Sequence, residues 1–217
     1  AYWYQNHKPL PDDKRYHIIT SPIEHPAIKN SCEYLEKHGF DITYLSVNKE
    51  GLIDLEELEG AIREETILIT IIFANNEIGT VQDVAAIGKL AKEKGITFHT
   101  DAVQALGKIK INVDELNIDL MSIASHKIHG PKGIGALYIR KGTRIEPLIH
   151  GGGHEFGFRA STENVPGIVG FGKACEIAQA EMPEEAERLT RLRDHLRGAI
   201  QEQVPETFVN GSYEHRL

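Results

Sequence analysis

The residues best suited to chemistry surround Lys127, in the run Ser125-His126-Lys127-Ile128-His129-Gly130-Pro131-Lys132-Gly133-Ile134-Gly135. Apolar segments precede it, Ile118 to Ala124, and follow it, Ile134 to Ile139. An amine at an apolar edge, with other basic groups beside it, is the setting in which lysines attack carbonyl groups. The glycines and Pro131 beyond it make a turn whose free backbone N–H groups suit an anion. On these residues alone, a polar turn between two strands with an exposed lysine is an equally good reading.

Three more polar residues stand just beyond apolar segments. His25 follows Tyr16 to Thr20, Asn76 follows Thr66 to Phe73, and Asp101 follows Ile96 to Thr100. A carboxylate at a strand end either caps the next helix or serves as the counter-charge of a protonated pyridine nitrogen. Pyridoxal phosphate needs such a partner to act as an electron sink, and Lys127 would be the imine-forming lysine of the same cofactor. Asn76 is a turn residue or a donor to that cofactor's phenolic oxygen. His25 is a loop histidine or a ring that stacks on the cofactor and moves protons near neutral pH. His150-Gly151-Gly152-Gly153-His154 lacks a clustered third ligand, so no metal is assigned. Cys32 and Cys175 align with apolar helical faces and read as buried small hydrophobes.

The elements needed to hold these residues are legible in the periodicities. Residues 1–15 read as a surface loop. Ile28, Cys32 and Leu35 make a helical stripe that begins near Pro26 and stops at Gly39. Asp41 to Leu45 reads as a strand. Asp54-Leu55-Glu56-Glu57 is a helix start, with Leu55, Leu58 and Ile62 on one face. Thr66 to Phe73 is nearly all apolar and β-branched, as a strand buried on both faces should be. Val84, Ile87 and Ala91 mark the next helix, closed by Gly95. Alternating strands and helices imply an α/β fold with a mostly parallel sheet. From Val165 an apolar helical stripe runs past Pro183 toward Val204, and a kink or break is expected at the proline.

Composition bounds the rest. At 217 residues the chain has ample material for a core. A net charge of −8 without a basic patch argues against nucleic acid and an anionic membrane surface. Ile67 to Ala74 is the longest apolar run and is too short to span a bilayer. Ala1 to Lys14 has no secretory h-region. Two cysteines make no disulfide framework, so a reducing, cytoplasmic setting is expected.

Taken together, five motifs resemble the cysteine desulfurases, pyridoxal-phosphate enzymes of the class V aminotransferase group. They are Ile23-Glu24-His25-Pro26-Ala27, Ala74-Asn75-Asn76-Glu77-Ile78-Gly79-Thr80, Thr100-Asp101-Ala102-Val103-Gln104, the Ser125-to-Gly133 run, and His150-Gly151-Gly152-Gly153-His154-Glu155. The second and fifth are similar to the iron–sulfur-assembly branch. The resemblance implies the type I aminotransferase fold, with a partial cofactor domain over 1–164. Residues 165–217 would be a connecting helix and the start of a small domain.

The resemblance also implies roles. Lys127 would hold the cofactor, His25 would stack on its ring as acid/base, and Asp101 would pair with the ring nitrogen. Gln104 and Asn76 would bond the phenolic oxygen side of the ring or the imine. His126 and the hydroxyl of Ser125 would bind phosphate, joined by Thr162 from the other subunit of a homodimer. Sulfur would pass from L-cysteine to an enzyme thiol, leaving alanine, and onward to an iron–sulfur scaffold protein. A selenocysteine lyase or another class V lyase is the related alternative, and a non-catalytic fragment is the other.

Three departures from the family pattern stand out. Ala124 occupies the place of the usual Ser, with Ser125 one residue on. The family's Arg-Ser-Gly-Thr reads Arg159-Ala160-Ser161-Thr162, which restricts the backbone where glycine is lost. A phosphate loop before residue 16, and a catalytic cysteine and carboxylate-binding arginine after Leu217, are expected of the family and are not in these 217 residues.

Overall fold

Six short strands pair into one sheet in the order β2-β1-β3-β4-β5-β6. The computed structural model describes residues 1–8, 10, 11 and 13–217. The strands are β1 (His17–Thr20), β2 (Asp41–Tyr44), β3 (Thr66–Thr70), β4 (Thr97–Asp101), β5 (Leu120–Ala124) and β6 (Gly135–Ile139). The first five run parallel, and β6 returns antiparallel to β5. Each parallel step needs a crossover. Helices α2 (Pro26–Lys37), α3 (Leu55–Ala61) and α4 (Val84–Lys94) supply three of them. The fold is the α/β arrangement expected from the strand–helix alternation.

Local chemistry sets the helix boundaries. Pro26 opens α2 behind His25, Asp54 accepts from the Glu56 N–H at 2.8 Å to start α3, and Asp83 accepts from Ala86 at 3.0 Å to start α4. Gly95 closes α4 in the left-handed region, at φ +67. The main core lies between the sheet and α3 and α4, around Ile19, Leu58, Ile69, Ile87, Phe98 and Ile118.

Three expectations are corrected. Residues 2–7 form a short helix, α1 (Tyr2–His7), within the segment read as a loop. Its aromatic side chains cause this: Tyr2 meets Phe40 edge-on at 5.8 Å and Tyr4 meets Tyr16 at 5.7 Å, so the helix covers a second apolar cluster. Of the kink or break expected at Pro183, the break does not occur. Helix α5 (Val165–Gln203) runs through it for 39 residues. Pro183 and Gln179 are both exposed, so the carbonyl that loses its N–H partner can bond water, and i,i+3 and i,i+4 ion pairs such as Glu185–Arg188 and Glu187–Arg191 support the turns that follow. The strand expected over Thr66 to Phe73 ends at Thr70, although residues 71–74 stay buried beside β4.

Candidate active site

β1 lies between β2 and β3, so the chain leaves β1 toward one edge and then crosses back over it. At such a reversal a crevice opens beyond the carboxyl ends of the strands. His25 follows β1, Asn76 lies six residues beyond β3, Asp101 ends β4, and Lys127 lies three residues beyond β5. Four separate elements thus deliver the four residues to one end of the sheet.

His25 is the N-cap of α2, and its Nδ1 accepts from the Ala27 N–H at 3.1 Å. Asp101 is buried, at 6% exposure. One carboxylate oxygen accepts from the Val103 N–H at 3.0 Å; the other makes no hydrogen bond among the described residues. Burial pushes the Asp101 carboxyl above the ordinary range, while the Val103 N–H and the His25 charge pull it back. His25 and Asp101 are therefore close enough to interact electrostatically. The Phe73 N–H donates to the Asp101 carbonyl at 2.9 Å, which brings the loop that carries Asn76 alongside β4.

The adjacent asparagines have different work. Asn75 is buried and bonded throughout: Nδ2 donates to the Ile23 carbonyl at 2.8 Å, and Oδ1 accepts from the Glu77 and Ile78 N–H groups at 2.8 and 2.9 Å. Asn76 is exposed. The turn thus rests on Asn75 and leaves Asn76 free for a ligand.

Ser125 to Ile128 form a 3-10 turn, and His129 closes it at φ +63. Lys127 and His126 are exposed. Lys127 lines a groove of about 390 Å³ against α5, with Lys108, Pro131, Ala174, Ile177 and Met182. Burial, and then the charge of Lys127, lower the Lys108 ammonium below its ordinary range. Lys108 donates to Gln104 Oε1 at 2.8 Å, so that oxygen of Gln104 is engaged by a neighbour four residues on. A cavity of about 770 Å³ lies at the opposite end of the sheet, beside Thr97 and Arg140, and contains none of these residues. The chemistry, not the volume, selects the site.

Ser125 is fully buried and its hydroxyl has no hydrogen-bond partner among the described residues. A Cβ on Gly130 would collide with that hydroxyl, so the turn itself encloses it. In this conformation Ser125 does not present its hydroxyl to a phosphate, because the chain folds back at Gly130, whose N–H donates to the Ser125 carbonyl at 3.0 Å. Thr162 is exposed, just before the Asn164 cap of α5. Its neighbour Ser161 has φ +98, a left-handed conformation in a residue with a side chain.

The donor set fits a pyridoxal ring. Asp101 keeps an acceptor oxygen for a protonated ring nitrogen, His25 stands on the same crevice, and Lys127 offers an open amine. One participant was not singled out from the sequence: Glu24, buried at 7% exposure with Oε2 unpartnered. Its position directly before His25 was the available signal.

The class-V aminotransferase family model matches residues 5–216. The cysteine desulfurase IscS of Dictyoglomus turgidum is 55% identical over 204 residues, covering 94% of this chain and 52% of its own length. That of Methanosarcina thermophila is 56% identical over 205 residues, covering 94% and 50%. A solved NifS-like protein superposes with a TM-score of 0.90 at 43% identity, over 95% of this chain and 56% of its own. A structure of SspA in complex with cysteine gives 0.73 at 52% identity, over 75% and 47%. The chain spans about half the length of the curated relatives it matches.

Proposed function

The chain belongs to the class-V aminotransferase family, and from that premise we propose that it carries much of the cofactor site of a pyridoxal-phosphate-dependent cysteine desulfurase. The observation that carries this reading is a buried Asp101 within electrostatic reach of His25, at the same end of the sheet as the exposed Lys127. Similarity to proteins named cysteine desulfurase, and to one solved with cysteine, supports L-cysteine as substrate.

When bound, pyridoxal phosphate supplies an electron sink for bonds broken at the amino acid's α- and β-carbons. Each side chain then has a distinct task. Lys127 Nζ holds the cofactor covalently, and Asp101 keeps the ring nitrogen protonated with its free carboxylate oxygen. His25 would cover the ring and hold or move a proton at Nε2, since Nδ1 already accepts from the Ala27 N–H. Asn76 would donate to the phenolic oxygen, as would the Gln104 amide nitrogen, since Lys108 occupies only its Oε1. His126 and Thr162 take the phosphate, Thr162 from a second copy of the chain, with Ser125 joining only if the turn at Gly130 opens. The setting we propose is cytoplasmic and reducing, with sulfur passed to an iron–sulfur scaffold protein.

Borohydride reduction in the presence of pyridoxal phosphate tests the central assignment. One lysine should be tagged, and peptide mapping should place the tag on Lys127. A tag on Lys108, Lys132 or Lys141, or none at all, would overturn it.

A further inference from the structure

The loop between β1 and α2 carries a buried carboxyl with no role in the scheme above. β1 ends at Thr20, where the chain turns away at Ser21 and Pro22, whereas the backbone beyond β3 keeps its place in the sheet. Ile71 and Phe73 donate their N–H groups to His99 and Asp101 of β4. Strand N–H groups alternate in direction, so the Ile72 N–H faces the side that β1 has vacated. Glu24 meets it there: Oε1 accepts from the Ile72 N–H at 2.7 Å and from the Ser21 hydroxyl at 2.6 Å. The carboxyl replaces the strand carbonyl that would otherwise satisfy a buried donor. Asn75 adds a second tie to the same loop through the Ile23 carbonyl. The next residue after Glu24 is His25, fixed in turn as the cap of α2.

We propose that Glu24 is a positioning residue, which sets the place of His25 relative to Asp101 by tying the β1–α2 loop to the end of β3. The inference rests on His25 and Asp101 flanking the cofactor ring, as proposed above. Glu24 has no need of its charge for this task. Burial raises its carboxyl to about 7, the Asp101 charge acts in the same direction, and only the bonds from Ser21 and Ile72 oppose them. The working group is the acceptor oxygen, which glutamine also provides.

The test compares the 217-residue chain with its Glu24→Ala and Glu24→Gln variants. Two readouts need no cofactor: hydrogen exchange at the Ile72 amide, referenced to Ile69 in β3, and the rate at which diethyl pyrocarbonate modifies His25. A third is the circular dichroism induced in the bound cofactor's absorption band when pyridoxal phosphate is added. Glu24→Ala should speed Ile72 exchange relative to Ile69 on the order of tenfold to a hundredfold. It should also change the His25 modification rate and remove most of the induced signal. Glu24→Gln should restore most of all three. If Glu24→Ala does not fold, Ser21→Ala, which removes one partner of the same oxygen, takes its place.

Wild-type rates at Ile72 and His25 in the alanine variant would overturn the proposal. So would exchange raised equally across the sheet, which means a loss of stability alone, or a glutamine variant no better than alanine. A wild-type chain that binds no pyridoxal phosphate would sink the cofactor reading separately, while exchange and modification still decide whether Glu24 holds His25.

Discussion

Ser161 occupies a backbone conformation that its side chain opposes. At φ +98 it lies where glycine is at ease and other residues are strained by about 1 kcal/mol or more. It is also the position at which the sequence replaces the glycine of the resembled family's motif, so the restriction expected there appears as strain and not as a different path. Ser161→Gly should therefore stabilise the chain by up to about 1 kcal/mol, raising the thermal midpoint by about 2–4 °C. A lower midpoint by calorimetry would show that the serine makes compensating contacts. Legibility at this scale followed placement. His25, Asp101 and Lys127 could be singled out because each adjoins an apolar segment. Asn76 could not be told from a turn former until the hydrogen bonds of Asn75 showed which asparagine makes the turn. Glu24 carries no such signal, because a lone glutamate is ordinarily solvated and only burial reveals otherwise.

The strands are tied side to side by two histidines as well as by their ladders. His17 of β1 reaches Thr66 of β3 and Thr43 of β2, each at 2.8 Å. His99 of β4 reaches Thr70 of β3 at 2.7 Å and Ser122 of β5 at 3.0 Å. Burial holds both rings down to about 4, so they are neutral at pH 7. Their contribution is present above the unfolded value near 6.5 and is lost as the pH falls toward 4, by about 3 kcal/mol each at most. Glu24, raised to about 7, acts oppositely: its contribution is full below about 4.5 and is lost as the pH rises to 7. Two histidines outweigh one glutamate, so the urea midpoint should be lower at pH 4.5 than at pH 7. An equal or higher midpoint at pH 4.5 would refute that balance. The parallel order of the sheet could be read from alternation, but these ties could not, since nothing in the sequence pairs His17 with Thr43 or His99 with Ser122. Pro183 shows the converse: a strong local signal for a break gave way because the freed carbonyl lies on an exposed turn.

Across the whole chain, chemistry is limited by its thiols. Desulfuration needs an exposed, mobile thiolate. Cys32 is buried at 3% exposure and raised to about 11, chiefly by burial with the Glu24 charge adding. Cys175 was expected to be buried and is half-buried, packed near Ile128 and Phe171, with its thiol also raised by burial. A second copy would bring the same two cysteines. The 217 residues alone should therefore release no sulfide or alanine from L-cysteine above a Lys127→Ala control. Release above that control would show that one of the two thiols moves. The strand order has a different consequence, which concerns time. β2 and β3 both pair with β1, and β4, β5 and β6 are each laid against the strand made just before. After β1, each described strand has a partner already made when it emerges. The sheet can accordingly assemble outward from β1 as successive segments leave the ribosome, and among the described strands only β2 and β6 remain as edges.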